Sequence, residues 1–254
     1  QGMYDASGHG THVGGILAGD GRLSKGEYGG MAPKAELVIV KVLDSKGEGS
    51  VEQILEGIQW IQDNHRRHGI RVANISVGAR KGLDGKKEQE LIEAVEILWD
   101  LGITVVVSAG NQGPKTGSIA VPGNSRKVIT VGSSDDHRAV DVCGSFMVHY
   151  SGRGPTGGCV CKPDIVAPGV EVTAAAVGGG YAQFTGTSFA TPFVTGGAAL
   201  MMEWGIVKGN DGYLYGEKVK AYLRRGARAL PGFDVYPNPQ VGYGALCVRD
   251  SLPD

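Results

Sequence analysis

Three short segments of the chain combine residue types that suit nucleophilic catalysis. Asp5-Ala-Ser-Gly-His-Gly-Thr-His-Val-Gly-Gly15 sets His9 and His12 among small residues. Gly186-Thr-Ser-Phe-Ala-Thr-Pro-Phe-Val-Thr-Gly196 sets Ser188 at the start of a helical pattern. A serine hydroxyl is a weak nucleophile and needs a base within hydrogen-bond reach. A helix start also presents backbone N–H groups that can hold a developing oxyanion. The third segment, Ser108-Ala-Gly-Asn-Gln-Gly113, places Asn111 at the end of an apolar run, where its amide can serve as a second oxyanion donor. Taken singly, Ser188 reads as a capping serine and Asn111 as a turn residue. Together the three point to acyl transfer. His12, three positions after His9, reads as a packed structural histidine. His65, His68, His137 and His149 read as surface or loop residues.

The surrounding pattern predicts the elements that position these groups. Glu36–Leu43, Arg71–Val77, Ile103–Ser108 and Val128–Val131 are nearly continuous apolar runs of strand length. Such runs belong to strands covered on both faces. Between them, Val51, Ile54, Leu55, Ile58 and Ile61 fall on one face of a helix, and Glu88–Leu101 forms a second helix. Strands alternating with helices predict an α/β fold with a parallel sheet. The segment 133–186 holds short strand pieces, Ile165–Ala167 and Val170–Thr173, among turns. Ser188–Trp204 is apolar nearly all round, so a central helix is predicted, with Pro192 in its first turn. A last amphipathic helix carries Val219, Tyr222, Leu223, Ala227 and Leu230. In such a sheet, sites form beyond the carboxyl ends of the strands.

Composition removes other classes. The 254 residues carry a net charge of −1, which speaks against a basic nucleic-acid-binding face. No run approaches the length of a membrane span. Glycine accounts for 43 residues against a usual ~7%, without a triplet period, so tight turns and close backbone approaches are expected. Cys143, Cys159, Cys161 and Cys247 are too few and too clustered for a secreted disulfide framework. Cys143, His149, Cys159 and Cys161 fit no standard zinc spacing and read as ordinary thiols. Neither a metal nor a cofactor is expected. Cysteine usage leans towards an intracellular setting, the bacterial cytoplasm.

The histidine, asparagine and serine segments, in that order, resemble the motifs of the subtilisin family (subtilase, S8) of serine proteases. Met31–Leu43, Tyr150-Ser-Gly-Arg-Gly-Pro155 and Lys162-Pro-Asp-Ile-Val-Ala-Pro-Gly169 extend the resemblance over essentially the whole chain, closest to bacterial intracellular-type members. The resemblance implies a subtilisin-like parallel sheet flanked by helices, a three-layer α/β/α arrangement, as one peptidase domain over residues 1–254. It also implies His9 as general base, Ser188 as nucleophile, and Asn111 with the Ser188 N–H as the oxyanion hole. A polypeptide substrate would lie extended between Ser76-Val77-Gly78 and Gly47-Glu48-Gly49. Its side chain would enter a pocket walled by Ser76–Gly78 and Ser108-Ala109-Gly110. Ala120 would stand at the base, making that pocket small and apolar.

One family feature has no match. Subtilases order their triad Asp, His, Ser. The family Asp ends a strand dozens of residues before the histidine, whereas eight residues precede His9. Asp5 belongs to the histidine motif and follows no strand, and Asp20, Asp44, Asp84, Asp135 and Asp136 lie in predicted loops outside any triad context. Gln1 at the start suggests a processed or truncated chain. The expectation is a domain lacking its N-terminal strand and Asp, both supplied by a cleaved N-terminal piece or a partner subunit. The alternative is a catalytically silent binding or regulatory module. An α/β-hydrolase esterase does not fit, because Ser does not precede His and no nucleophile elbow is present.

Overall fold

The computed structural model describes residues 4–79, 83–142 and 144–253. In chain order the main elements are α1 (His9–Ala18), α2 (Val51–His68), β1 (Val72–Ile75), α3 (Gly85–Asp100), β2 (Thr104–Ser108) and β3 (Ile129–Ser133). They continue with β4 (Val140–Val142), β5 (Ser145–Met147), β6 (Ile165–Ala167), β7 (Val172–Ala175), β8 (Tyr181–Phe184), α4 (Thr187–Met202), α5 (Gly216–Arg225) and α6 (Val248–Ser251). Four strands form a parallel sheet in the order β1-β2-β3-β6, and helices flank it in three layers. Every residue of β2 and β3 is buried, which is why their sequence is apolar without alternation.

Helix α4 packs across all four strands and against α1. Its small residues permit this. A Cβ on Gly196 would come 2.5 Å from Met31 Cβ. After Met202 the helix widens into a π-helical turn, Glu203–Val207. Helix α2 starts on a capping box in which Ser50 and Gln53 satisfy each other's backbone N–H groups. It packs against α3, and α3 packs on β2.

One predicted strand takes a different form. Glu36–Leu43 has no regular secondary structure and no ladder partner among the described residues. Its side chains still find both helix layers. A Cβ on Gly57 of α2 would lie 2.6 Å from Val42 Cγ1, and one on Gly14 of α1 would lie 3.8 Å from Leu37 Cδ1. The segment therefore runs at the level of the sheet. Between it and β1 opens a cavity of about 1310 Å³, walled by residues 35–43, by 70–77 of β1 and its flanks, and by α1 and α2. Leu37, Val38 and Ile39 are 42%, 40% and 48% exposed as a result. A strand is stabilised by its ladder, and the cavity holds this segment away from β1. The antiparallel pairs β4-β5 and β7-β8 were not separable in the sequence, where only the β7 region was predicted as strand.

Candidate active site

His9 is the first residue of α1, and the turn before it is built around a carboxylate. Asp5 accepts hydrogen bonds from the Gly8 and Thr11 amides at 3.0 and 2.7 Å and from the Thr11 hydroxyl at 2.7 Å. Burial pushes its carboxyl up, but these bonds together with Ser7 outweigh that and hold it down to about 2. The Asp5 carboxylate thus braces the turn that opens α1, and Gly8 adopts φ 79° to make that turn. The His9 ring sits 5.4 Å from the Phe189 ring, next to Ser188. Burial pulls its pKa below the ordinary 6.5, Asp5 pulls it up and His12 down. His12 is fully buried. Its Nε2 lies 2.9 Å from the Val172 carbonyl, and its ring packs edge-on against Phe184 and Phe189.

Ser188 lies in the first turn of α4, where helix N–H groups lack an intrahelical acceptor. Its neighbour Thr187 sets Asn111. The Thr187 amide and hydroxyl both donate to Asn111 Oδ1 at 2.9 Å, and the Gly110 amide donates to the Thr187 hydroxyl at 3.1 Å. With Oδ1 held by Thr187, Asn111 Nδ2 lies beside Gly186. A Cβ on Gly186 would stand 3.2 Å from that nitrogen, so glycine there keeps the donor accessible. Sequence reading named Asn111 and Ser188 but missed Thr187. Its signal was only its place beside Ser188.

The Ser188 hydroxyl donates to the Ser76 carbonyl at 2.9 Å, not to His9. The Ser76 hydroxyl in turn donates to the Ser188 carbonyl at 2.8 Å and accepts from Asn74 Nδ2 at 2.9 Å. The segment after β1 is thereby fastened to the start of α4. Gly78 and Gly110 approach Ala120 from two sides: Cβ atoms on them would lie 3.0 and 2.6 Å from the Ala120 methyl. Ala109 lies behind, its carbonyl accepting from the Ala120 amide. Gly78, Ala109, Gly110 and Ala120 are thus brought together. Gly47, Glu48 and Gly49 form a separate turn in which Asp44 accepts from the Lys46 and Glu48 amides. Gly47 sits beside Ser7 of the histidine turn.

Among the described residues no three His, Cys, Asp or Glu side chains gather as metal ligands. Cys159, Cys161 and Cys247 are free, and Cys143 lies outside the described residues. No helix among the described residues is long and apolar enough to cross a membrane.

Ser188 at the start of α4, Asn111 after β2 and Ser76 after β1 thus meet beyond the carboxyl ends of the parallel strands. The chain belongs to the subtilase family, whose model (Peptidase S8) matches residues 1–244. It is 38% identical over 268 residues to serine protease AprX of Bacillus subtilis, a match covering 98% of this chain and 59% of AprX. It is 36% identical to Subtilisin Savinase of Lederbergia lenta, over 91% of this chain and 74% of that one. Among solved structures, Sphericase superposes with a TM-score of 0.78 at 27% identity, over 97% of this chain and 79% of Sphericase. The Clostridium perfringens CspB protease shares the fold, with a TM-score of 0.81 at 21% identity over 98% and 81% of the two chains.

Proposed function

We propose that the chain is the main part of a serine endopeptidase that cleaves peptide bonds through an acyl-enzyme. Ser188 attacks the scissile carbonyl, and His9 takes its proton and returns it to the leaving amine. Asn111 Nδ2 and the Ser188 N–H hold the oxyanion. The observation that carries this reading is the locking of Asn111 by Thr187, which aims a donor at the helix start bearing Ser188 before any substrate arrives. An Asn111→Leu variant removes that donor. Its kcat is expected to fall by about 10²–10³ with little change in KM, the usual loss for one oxyanion donor. Steady-state kinetics on a peptide substrate check this.

The polypeptide substrate runs extended along Ser76–Gly78 on one side and Gly47–Gly49 on the other. Ala120, between Gly78 and Gly110, makes the side-chain pocket small and apolar. Ala120→Val is expected to lower kcat/KM for the preferred small side chain about 10-fold, and Ala120→Gly to shift preference towards larger apolar ones. A library of substrates differing at that one side chain reads both effects.

The triad Asp comes from a segment outside residues 1–254, either a cleaved N-terminal piece or a partner's strand. That segment seats as a parallel strand in the cavity between Leu37–Leu43 and β1, with its end beside His9. The cavity's apolar walls, its position at sheet level and the presence of His9 among its lining residues support this. Native and denaturing mass spectrometry of the purified protein is expected to show a second polypeptide held to the chain. A single folded monomer would overturn this part of the reading.

A second reading is an inactive subtilase-like module, and the Ser188 hydroxyl resting on the Ser76 carbonyl favours it. A fluorophosphonate probe separates the two. Labelling that disappears in Ser188→Ala supports the peptidase. No labelling in a folded sample holding its second segment supports the inactive module.

A further inference from the structure

Pro192 lies inside α4, four positions after Ser188. In a regular helix the N–H of residue 192 would donate to the Ser188 carbonyl. Proline has no N–H, and its ring crowds the carbonyl four positions back. The Ser188 carbonyl therefore lacks the partner that the helix gives its other carbonyls. An unpaired carbonyl in a protein interior costs free energy, so a donor from elsewhere has to meet it.

That donor comes from the segment after β1. The buried Ser76 hydroxyl donates to the Ser188 carbonyl at 2.8 Å. A hydroxyl rotates freely and has one proton, so its direction has to be set. Asn74 of β1 sets it. Its Nδ2, which can only donate, gives a hydrogen bond to Ser76 Oγ at 2.9 Å, leaving the Ser76 proton for Ser188. The Asn74 amide is held from its other end by Thr195 of α4. The Thr195 hydroxyl stands 2.8 Å from Asn74 Oδ1, nearer than its other acceptor, the Thr191 carbonyl at 3.1 Å. Three hydrogen bonds thus leave α4 at Thr195, pass through β1 and return to α4 at Ser188. The Ser76 carbonyl also accepts from the Ser188 hydroxyl at 2.9 Å, so one residue holds both the side chain and the backbone of Ser188.

We propose that Asn74 and Ser76 are positioning residues for the nucleophile. Ser76, oriented by Asn74, supplies the hydrogen bond that Pro192 denies to the Ser188 carbonyl, and so fixes the first turn of α4 against the end of β1. Ser188 then takes its place from the same backbone along which the substrate lies, rather than from the next turn of its own helix. The consequence for reactivity rests on the peptidase reading above; the hydrogen-bond replacement does not.

Two measurements test this. Thermal melting of the 254-residue chain needs no activity. Ser76→Ala strands the Ser188 carbonyl, and its midpoint is expected to fall by about 5 °C. Pro192→Ala gives the helix its own N–H for that carbonyl, so in the Pro192→Ala background Ser76→Ala is expected to cost less than half as much. Equal losses in the two backgrounds overturn the proposal, as does a loss of folding in Ser76→Ala that Pro192→Ala fails to relieve. The second measurement is the rate of fluorophosphonate labelling of Ser188. At saturating probe, Ser76→Ala and Asn74→Leu are each expected to label about 10-fold more slowly, with the half-saturating concentration little changed, because the nucleophile is displaced while the pocket stays. Partial unfolding lowers the labelled fraction and leaves the rate constant of the folded fraction as it was. Unchanged rate constants in both variants overturn the positioning role. A wild type that does not label removes the peptidase reading, and the melting comparison then decides by itself whether Ser76 holds Ser188.

Discussion

Supplying the chain with a peptide that forms an apolar strand ending in Asp is expected to raise turnover by about 3 × 10⁴-fold, the factor lost when subtilisin itself is deprived only of its triad Asp. That corresponds to about 6 kcal/mol of barrier. The Asp acts through His9, whose ring has no hydrogen-bonded carboxylate among the described residues and feels Asp5 only through space. Burial now holds the His9 pKa below 6.5. A carboxylate placed against the ring stabilises the protonated form, so the pKa must rise when the segment binds. The base works when neutral, so activity is present above that pKa and is lost as pH falls through it. The acid limb of kcat/KM should therefore move to higher pH on complementation, and the His9 ring resonance in NMR should titrate with it. The same peptide with Asn for Asp separates chemistry from packing. It should fill the cavity and raise the melting temperature about as much, yet restore little turnover. Equal activation by both peptides would remove the triad role. Activation by neither, with binding shown, would remove the placement of the strand.

In the complemented protein, Ser188→Ala is expected to lower kcat by about 10⁶, and His9→Ala by a similar factor, with the double variant no worse than either. Such non-additivity arises because nucleophile and base act as one unit: a base with no hydroxyl to deprotonate does nothing. The fold should survive. The Ser188 hydroxyl makes a single bond, to the Ser76 carbonyl, whose loss costs about 1 kcal/mol. Melting curves and circular dichroism check that. Full hydrolysis by Ser188→Ala would assign the activity to another nucleophile or to a contaminant.

The parts of this molecule that were legible beforehand are those governed by local pattern. β2 and β3 are read directly from unbroken apolar runs, because both faces are covered and no residue has to meet water. α2 is read from its 3.6-residue period, and α4 from a run of small and apolar residues that only a central helix needs. His9, Asn111 and Ser188 were legible because the motif around each is also the local geometry it requires: a helix start for two of them and a strand end for the third.

Other features depended on residues far apart in the chain. Leu37–Leu43 has the sequence of a buried strand, but a strand exists only with a ladder, and the neighbouring space is an open cavity. Thr187 carries no signal of its own until folding brings Asn111, 76 positions away, onto its amide and hydroxyl. Asp5 was read as part of the histidine motif, and only the folded turn shows its carboxylate taken up by the Gly8 and Thr11 amides. Lys220 of α5 was not singled out in the sequence. Only packing α5 against the turn before β3 gives its ammonium three carbonyls, 92 to 94 positions earlier.

The sequence by itself determined the family, the alternation of strand and helix, and which three side chains carry the candidate chemistry, because these are set by residue type and spacing along the chain. The tertiary structure decided where the sheet is interrupted, how Asn111 is aimed, where the Ser188 hydroxyl rests and which charges are buried together. Each of those depends on hydrogen bonds or burial between segments that sequence order leaves apart.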